Sequence, residues 1–476
     1  IKAYGGDKLT QLQSLTLTDH MNHYSPWQSG HSAQGSMIMY LSKYRTELTI
    51  DLQHNRKVFK QATARLVGGH GTEVPATSHR IFAEGKGYVV DHALQQYHMT
   101  ERINYNNADN GHSQLLDRLI INQLSKERNH SQWTDIAYIQ GQAHDVLTVN
   151  AGTQDEYTLY ISQKTGLLTR MLKKRGEQIR SYDFLNHQQS QGITWAKELF
   201  VSTATQPIYH SDARELSFNK ADEQQFNLPA NYKKRATTQA VDVSQLTIRE
   251  IAPDVYFVGK EWGYTLFIDA GSHYISAGSW QVDRNSNAWQ QSLALLRKTT
   301  GNNKPVKQHI VTHHHNDHMM GLEDIVEHGA NLVIHPTDIE SVKEHLQHPL
   351  ADNRFIPTLG DGDLADGKVM LFDIPNSHAS HNLVIYLPEH KILFTEDVFG
   401  SGYQKAFHSP SSWPSVDTYH RLEVLTHRIN HLELEVDQYV SSHHARILSH
   451  AEMEQALAIK RPSKAVLLKR LFASHK

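Results

Sequence analysis

Metal-binding side chains crowd into residues 313–318, where the order reads His313, His314, His315, Asn316, Asp317, His318. The apolar pair Ile310-Val311 leads into this His-x-His-x-Asp-His cluster, which places it at the end of a strand. Alternate residues at a strand end point to the same side, so His313 and His315 can converge on one cation. Asp317 and His318 lie in the turn that follows and can reach a second cation nearby. Imidazole and carboxylate suit zinc first, and iron or manganese after it. The chain has 34 His, so a histidine counts here only where its spacing matches a metal site.

Three later segments follow in a fixed order. They are Pro375-Asn376-Ser377-His378-Ala379-Ser380-His381, then Ile392-Leu393-Phe394-Thr395-Glu396-Asp397, then Tyr439-Val440-Ser441-Ser442-His443-His444. With the first cluster they resemble the metallo-β-lactamase fold superfamily of hydrolases over roughly residues 247–455. The resemblance implies a first metal on His313, His315 and His378. It implies a second on Asp317, His318 and His443, with Asp397 bridging the two. His443 is the better match for the last ligand and His444 the alternative. His381 reads as a supporting or surface residue.

The implied cofactors are two zinc ions, with iron or manganese as substitutes. Two cations a few Å apart share a water, bring its pKa toward neutrality and stabilise attacking and leaving oxygens. Asp317 is then the catalytic residue that orients the nucleophilic hydroxide.

Some positions depart from the family pattern. Glu396 stands where a small residue, often Gly, is usual; it either crowds the site or joins the ligands. Ser276-Ala277-Gly278 replaces an acidic residue on a supporting strand. His314 reads as a supporting or substrate-facing residue. The loop 400–410 carries Tyr403, Phe407 and His408, which its position marks as substrate-binding.

The elements that must hold these residues read as an α+β chain in two parts. Residues 247–476 alternate short strands and helices, as in an αββα sandwich. Strands are expected at 255–258, 264–268, 273–275, 309–311, 331–334, 369–372, 382–387, 391–394 and 438–441. Helices are expected at 288–298, 321–328, 337–345 and 418–430. Residues 1–235 read as a β-rich antiparallel domain. Strand-like runs lie at 157–162, 167–174, 179–185 and 193–203, and residues 114–126 have helical spacing. Residues 157–168 and 218–229 faintly resemble lipoprotein-carrier half-barrels, which would imply an apolar ligand. The polar stretch 231–245 is the boundary. Gly68-Gly69-His70-Gly71 lacks the Lys-Ser/Thr of a phosphate loop and reads as a turn. Residues 460–476 read as a packed C-terminal helix with a basic outer face.

Composition narrows the function further. Hydrophobic residues at 39% and charged residues at 20% indicate a globular chain that buries a core. A net charge of -3 argues against a general nucleic-acid binder. No apolar run is long enough for a transmembrane helix, so no stable membrane insertion is expected. Cys is absent, which removes thiolate ligands and any Cys nucleophile. The start Ile-Lys-Ala-Tyr-Gly-Gly has no Met and no signal-peptide pattern and reads as a mature or trimmed start, compatible with a removed leader. Together these lean toward a periplasmic or secreted protein with a small-molecule substrate and unknown oligomeric state. The leading function is hydrolysis of a carboxylic ester, lactone or thioester. The alternatives are a sulfate- or phosphate-ester hydrolase, and a non-catalytic apolar-ligand binding protein on a hydrolase fold.

Overall fold

The computed structural model describes residues 1–65, 76–126, 128–175, 178–235, 242–261, 263–279, 281, 286–400, 416–443, 445–459 and 462–473. The Gly68–Gly71 turn, Tyr403, Phe407, His408 and His444 lie outside the described residues.

Two sheets form the centre of the C-terminal region. The first has seven strands in sequence order, from Thr247–Ala252 to Phe355–Pro357. Its first four strands pair antiparallel and the rest parallel. The second has six strands, from Asp363–Leu364 to Leu448–Ser449. The inner faces meet in one apolar layer that includes Phe257, Leu266, Ile310, Leu371, Ile385, Phe394 and Val440.

Helices cover both outer faces, because residues at alternate strand positions need burial there too. Trp289, Leu293 and Leu296 of helix Ala288–Thr300 pack with Phe267 and Leu332 of the first sheet. Leu422, Leu425 and Ile429 of helix Val416–His431 pack with Val384, Leu393 and Tyr439 of the second. The result is four layers, helix, sheet, sheet, helix.

Three strands of the second sheet, Val369–Asp373, Ile392–Phe394 and Gln438–Val440, run in the same direction. Their C-terminal ends therefore share one edge. Backbone hydrogen bonds join the two sheets there. Leu383 N–H donates to Thr312 O (2.8 Å) and Tyr264 N–H to Ser442 O (2.8 Å). Gly278 sits at this junction with φ of 84°, where a Cβ would come within 2.6 Å of Tyr264 O. The backbone approach leaves no room for a side chain.

The N-terminal region is one 15-stranded sheet that begins with the long hairpin Ser14–Gln28 and Met37–Asp51. One core cluster joins Phe59, Leu48, Leu17, Trp195, Phe184, Met171, Leu159 and Val149 to Ile120 and Ile121 of helix Asp117–Lys126. Those side chains span nine neighbouring strands, or about 38 Å if flat at ~4.8 Å per strand. A ten-residue helix is only about 15 Å long, so it covers only part of that span. Buried Asp117 fixes the start of the helix by accepting from Tyr4 OH (2.8 Å) and Ala196 N–H (3.1 Å).

Of the expected strands, 157–162 and 331–334 occur at those limits, and the others shift by a few residues at their ends. Helix 114–126 is divided into a 3-10 turn, His112–Leu115, and Asp117–Lys126. The C-terminal helix Lys464–Phe472 buries Leu467 and Leu471, and the Arg45 guanidinium stacks on its Phe472 ring. Among the described residues, no helix is long and apolar enough to cross a membrane.

Candidate metal centre

The strand before the histidine cluster ends at Ile310, earlier than expected. Residues 311–315 continue as irregular backbone held by Val311 N–H to Val333 O (2.9 Å). Asp317 and His318 are not in an open turn. They belong to the short helix Asn316–Met319, which follows the extended backbone of its N-cap residue His315. His378, Asp397 and His443 each follow one of the three co-directional strand ends, which brings segments distant in sequence onto one edge.

His313, His315, His378 and Asp397 form one cluster, and Asp317, His318 and His443 a second beside it. In the first, His313 Nε2 is 3.1 Å from His315 Nδ1 and 3.2 Å from His378 Nε2. Asp397 Oδ2 is 2.9 Å from His378 Nε2. In the second, the Nε2 atoms of His318 and His443 are 3.1 Å apart, and Asp317 Oδ2 is 3.8 Å from each. Asp397 also reaches this cluster, with Oδ1 2.7 Å from His443 Nε2 and Oδ2 3.3 Å from His318 Nε2. Two ligands at about 2.0–2.1 Å from a tetrahedral zinc stand about 3.3 Å apart. The nitrogen pairs match that edge length and Asp317 Oδ2 stands wider, at 3.8 Å; the donor types of both sets suit a small divalent cation.

The electrostatics also fit a cation. Burial disfavours charge on His313, and the nearby rings of His318, His315 and His378 add to it; its pKa falls well below the usual range. A neutral imidazole is the form that ligates. Burial also opposes charge on His318, but the carboxylates of Asp317, Asp397 and Glu396 outweigh it and hold its imidazolium well above that range. Burial would raise Asp397, yet His443, His318 and His378 keep it well below the ordinary carboxylate range. The pocket thus favours positive charge among its carboxylates.

Glu396 neither crowds the clusters nor joins them. It is buried behind His318, with Oε1 3.5 Å from His318 Nδ1, and its Oε2 accepts from Ser442 N–H (2.8 Å) and Ser442 Oγ. Its φ of 44° lies in the left-handed region. That backbone explains why Gly is at home at this position, and the paired carboxylate explains how Glu is held there.

His314 does not face a substrate space. It is fully buried, and its Nε2 lies 3.0 Å from Ser29 Oγ and 3.1 Å from Ser29 O. His381 stands apart from both clusters. It pairs with Asp373 (2.8 Å) and stacks on His335 at 3.5 Å with ring planes 11° apart. With Asp373 the two rings form a third, separate group of side chains that could hold a metal ion. On the supporting strand, Ser276 Oγ is 2.8 Å from His309 Nδ1.

Two residues at the site come from the N-terminal region and carry no signal in the sequence. Gln28 Nε2 donates to Asp317 Oδ1, and Ser29 O accepts from His315 Nε2 (2.7 Å). No local motif marks them, since they lie 285 or more positions from their partners. Trp27 is 46% exposed and Met37 44% exposed beside this contact.

Residues 249–437 match the family described as the metallo-beta-lactamase superfamily. This region is a metallo-beta-lactamase superfamily domain. Solved structures similar to the chain include a metallo-beta-lactamase from Pontibacter korlensis, at 18% identity over 45% of this chain and 98% of that one, with a TM-score of 0.36. FIM-1, a metallo-beta-lactamase from Pseudomonas aeruginosa in a mono-zinc form, is 18% identical over 50% of this chain and 100% of that one, with a TM-score of 0.34. DIM-1 metallo-beta-lactamase is 16% identical over 45% and 96%, with a TM-score of 0.35. No curated protein matches the chain. Members of the superfamily are typically metal-dependent hydrolases, and the His and Asp clusters of this domain have the chemistry to bind metal.

Proposed function

We propose that the chain is a binuclear, metal-dependent hydrolase of a carboxylic ester, lactone or thioester. The observation that carries this reading is the pair of converging donor sets joined by Asp397. His313, His315 and His378 would hold one zinc, Asp317, His318 and His443 the other, with Asp397 between them. Iron or manganese are the alternative metals. When bound, the two ions supply Lewis acidity and a nucleophilic water at neutral pH.

The chain's own groups then have defined tasks. Asp397 balances charge between the two sets. Asp317, 28% exposed at its side chain, is the catalytic residue that faces the reaction space and orients the attacking water. Glu396 holds His318 from behind. Every ligand is nitrogen or oxygen, since Cys is absent. Trp27, Met37 and Met39 are exposed on the hairpin that carries Gln28, which favours a substrate with an apolar portion. A periplasmic or secreted location completes the proposal.

A second reading has one observation in its favour. A cleft of about 590 Å³ lies between helix Asp117–Lys126 and its sheet, lined by Leu52, Tyr105, Leu119, Ile120, Met171 and others. It gives the N-terminal region room for a partly apolar ligand, as a non-catalytic carrier requires. A panel of carboxylic, lactone, thioester, sulfate and phosphate esters, assayed with and without chelator, separates the readings. Chelator-sensitive cleavage of a carboxylic ester, lactone or thioester supports the proposal. Cleavage confined to sulfate or phosphate esters replaces its substrate class. No cleavage, with an apolar probe still bound, overturns it in favour of the carrier.

A further inference from the structure

The turn that joins strands Ser14–Gln28 and Met37–Asp51 reaches from the N-terminal sheet to the metal centre. We infer that this hairpin is a built-in positioning element of the centre, with Ser29 O selecting the ligating nitrogen of His315 and Gln28 selecting the ligating oxygen of Asp317. The inference rests on the binuclear reading above.

A neutral imidazole has one N–H and one lone pair, and which nitrogen carries the proton follows from its partners. Ser29 O can only accept, and it lies 2.7 Å from His315 Nε2. The proton therefore sits on Nε2, and the lone pair is on Nδ1. Nδ1 is the atom that faces His313 Nε2 in the first cluster. Without the carbonyl, either nitrogen could carry the proton, and part of the population would present N–H to the cation.

Asp317 shows the same logic with a carboxylate. Gln28 Nε2–H donates to Oδ1. Oδ2 is left to face the Nε2 atoms of His318 and His443, 3.8 Å from each. Gln28 thus fixes the rotation of the one carboxylate that belongs to the second cluster alone.

The turn is held rigidly enough to do this. Ser29 N–H donates to Ser36 O (3.1 Å), and Ser29 Oγ bonds within the turn to His31 O (3.0 Å). Three contacts pin the turn to the C-terminal region. Ser380 N–H donates to Gly30 O (2.8 Å), Ser341 Oγ to Ser32 O (2.9 Å), and His314 Nε2 meets Ser29 Oγ (3.0 Å). Ligand-supporting hydrogen bonds of this kind typically change metal affinity by about 10–100-fold.

The test is stepwise zinc affinity by chelator competition on the full-length protein, with the visible spectrum of the cobalt-loaded form as a second readout. Gln28→Ala and Gln28→Met remove the donor, the second while keeping side-chain length. The expected result in both is one site at wild-type affinity and the other weakened about 10–100-fold, with a changed cobalt spectrum. Gln28→Asn, shorter but still a donor, should recover part of the loss. Both affinities within twofold of wild type and an unchanged spectrum would overturn the inference. Equal weakening of both sites would also overturn it, since that describes general support of the fold. If one variant does not fold, the other decides. Wild-type protein that takes up no second ion instead refutes the binuclear reading on which the inference stands.

Discussion

At the residue scale, metal binding depends on which atoms face the space between the clusters. Asp397 contacts members of both, so losing its carboxylate should disturb both ions, whereas losing His315 should first remove one. In Asp397→Ala, metal content should fall to at most one ion per chain and hydrolysis should drop by more than the ~10–100-fold typical of a supporting group. Elemental analysis beside initial rates checks this, and two retained ions would count against the bridge.

Glu396 offers a finer test. In Glu396→Gln the amide oxygen can still accept from Ser442, but the amide nitrogen turns toward His318 Nδ1 and disfavours a proton there. The second ion should bind about 10–100-fold more weakly, with little change in the urea midpoint. Equal affinity in the variant would show that Glu396 only braces the backbone.

His313, His315, Asp317 and His318 were legible in the sequence because they are neighbours in it. Gln28 and Ser29 were not, because only the folded hairpin brings them near. The Glu396 conformation was hidden as well, since a positive φ leaves no mark when the residue is not Gly.

At the element scale, the site depends on the seam between two sheets. Ile385 is fully buried at its centre. Ile385→Ala should destabilise the C-terminal region by about 2–5 kcal/mol, read as a lower urea midpoint for its unfolding. A cost below about 1 kcal/mol would mean the seam is less tightly packed than described. Most strands of this region could be read from the sequence, since Ile, Leu and Val dominate runs such as 383–387 and 392–394.

The long strands before residue 100 were harder to read for a physical reason. In Ser14–Gln28, Leu15, Leu17 and Met21 point inward, but Asp19 occupies the inward position between them. Its carboxylate pairs with buried Arg214 (3.4 Å) and Ser211 Oγ. A charge buried through a long-range partner breaks the alternation that marks a strand.

At the scale of the whole molecule, folding stability should fall in mild acid. His309 lies fully buried on the strand that leads into the cluster, and burial pushes its pKa down from 6.5 to about 3. The folded chain therefore refuses a proton that the unfolded chain accepts. The stabilisation this supplies is complete above about pH 6.5 and is lost as pH falls from there toward 3, by about 1.4 kcal/mol per unit. Urea titrations at pH 7.5 and 5.5 should show the loss, and His309→Gln should reduce the difference between them by about 1 kcal/mol. An unaltered pH dependence in that variant would remove His309 from the explanation.

The binuclear centre is the claim on which the rest depends, and elemental analysis of the full chain, purified without chelator and then loaded with zinc, tests it most directly. Two ions per chain are expected in the wild type, with fewer in His315→Ala while the N-terminal sheet stays folded. A wild-type chain that holds one ion or none after loading, or a His315→Ala chain that still holds two, would contradict it.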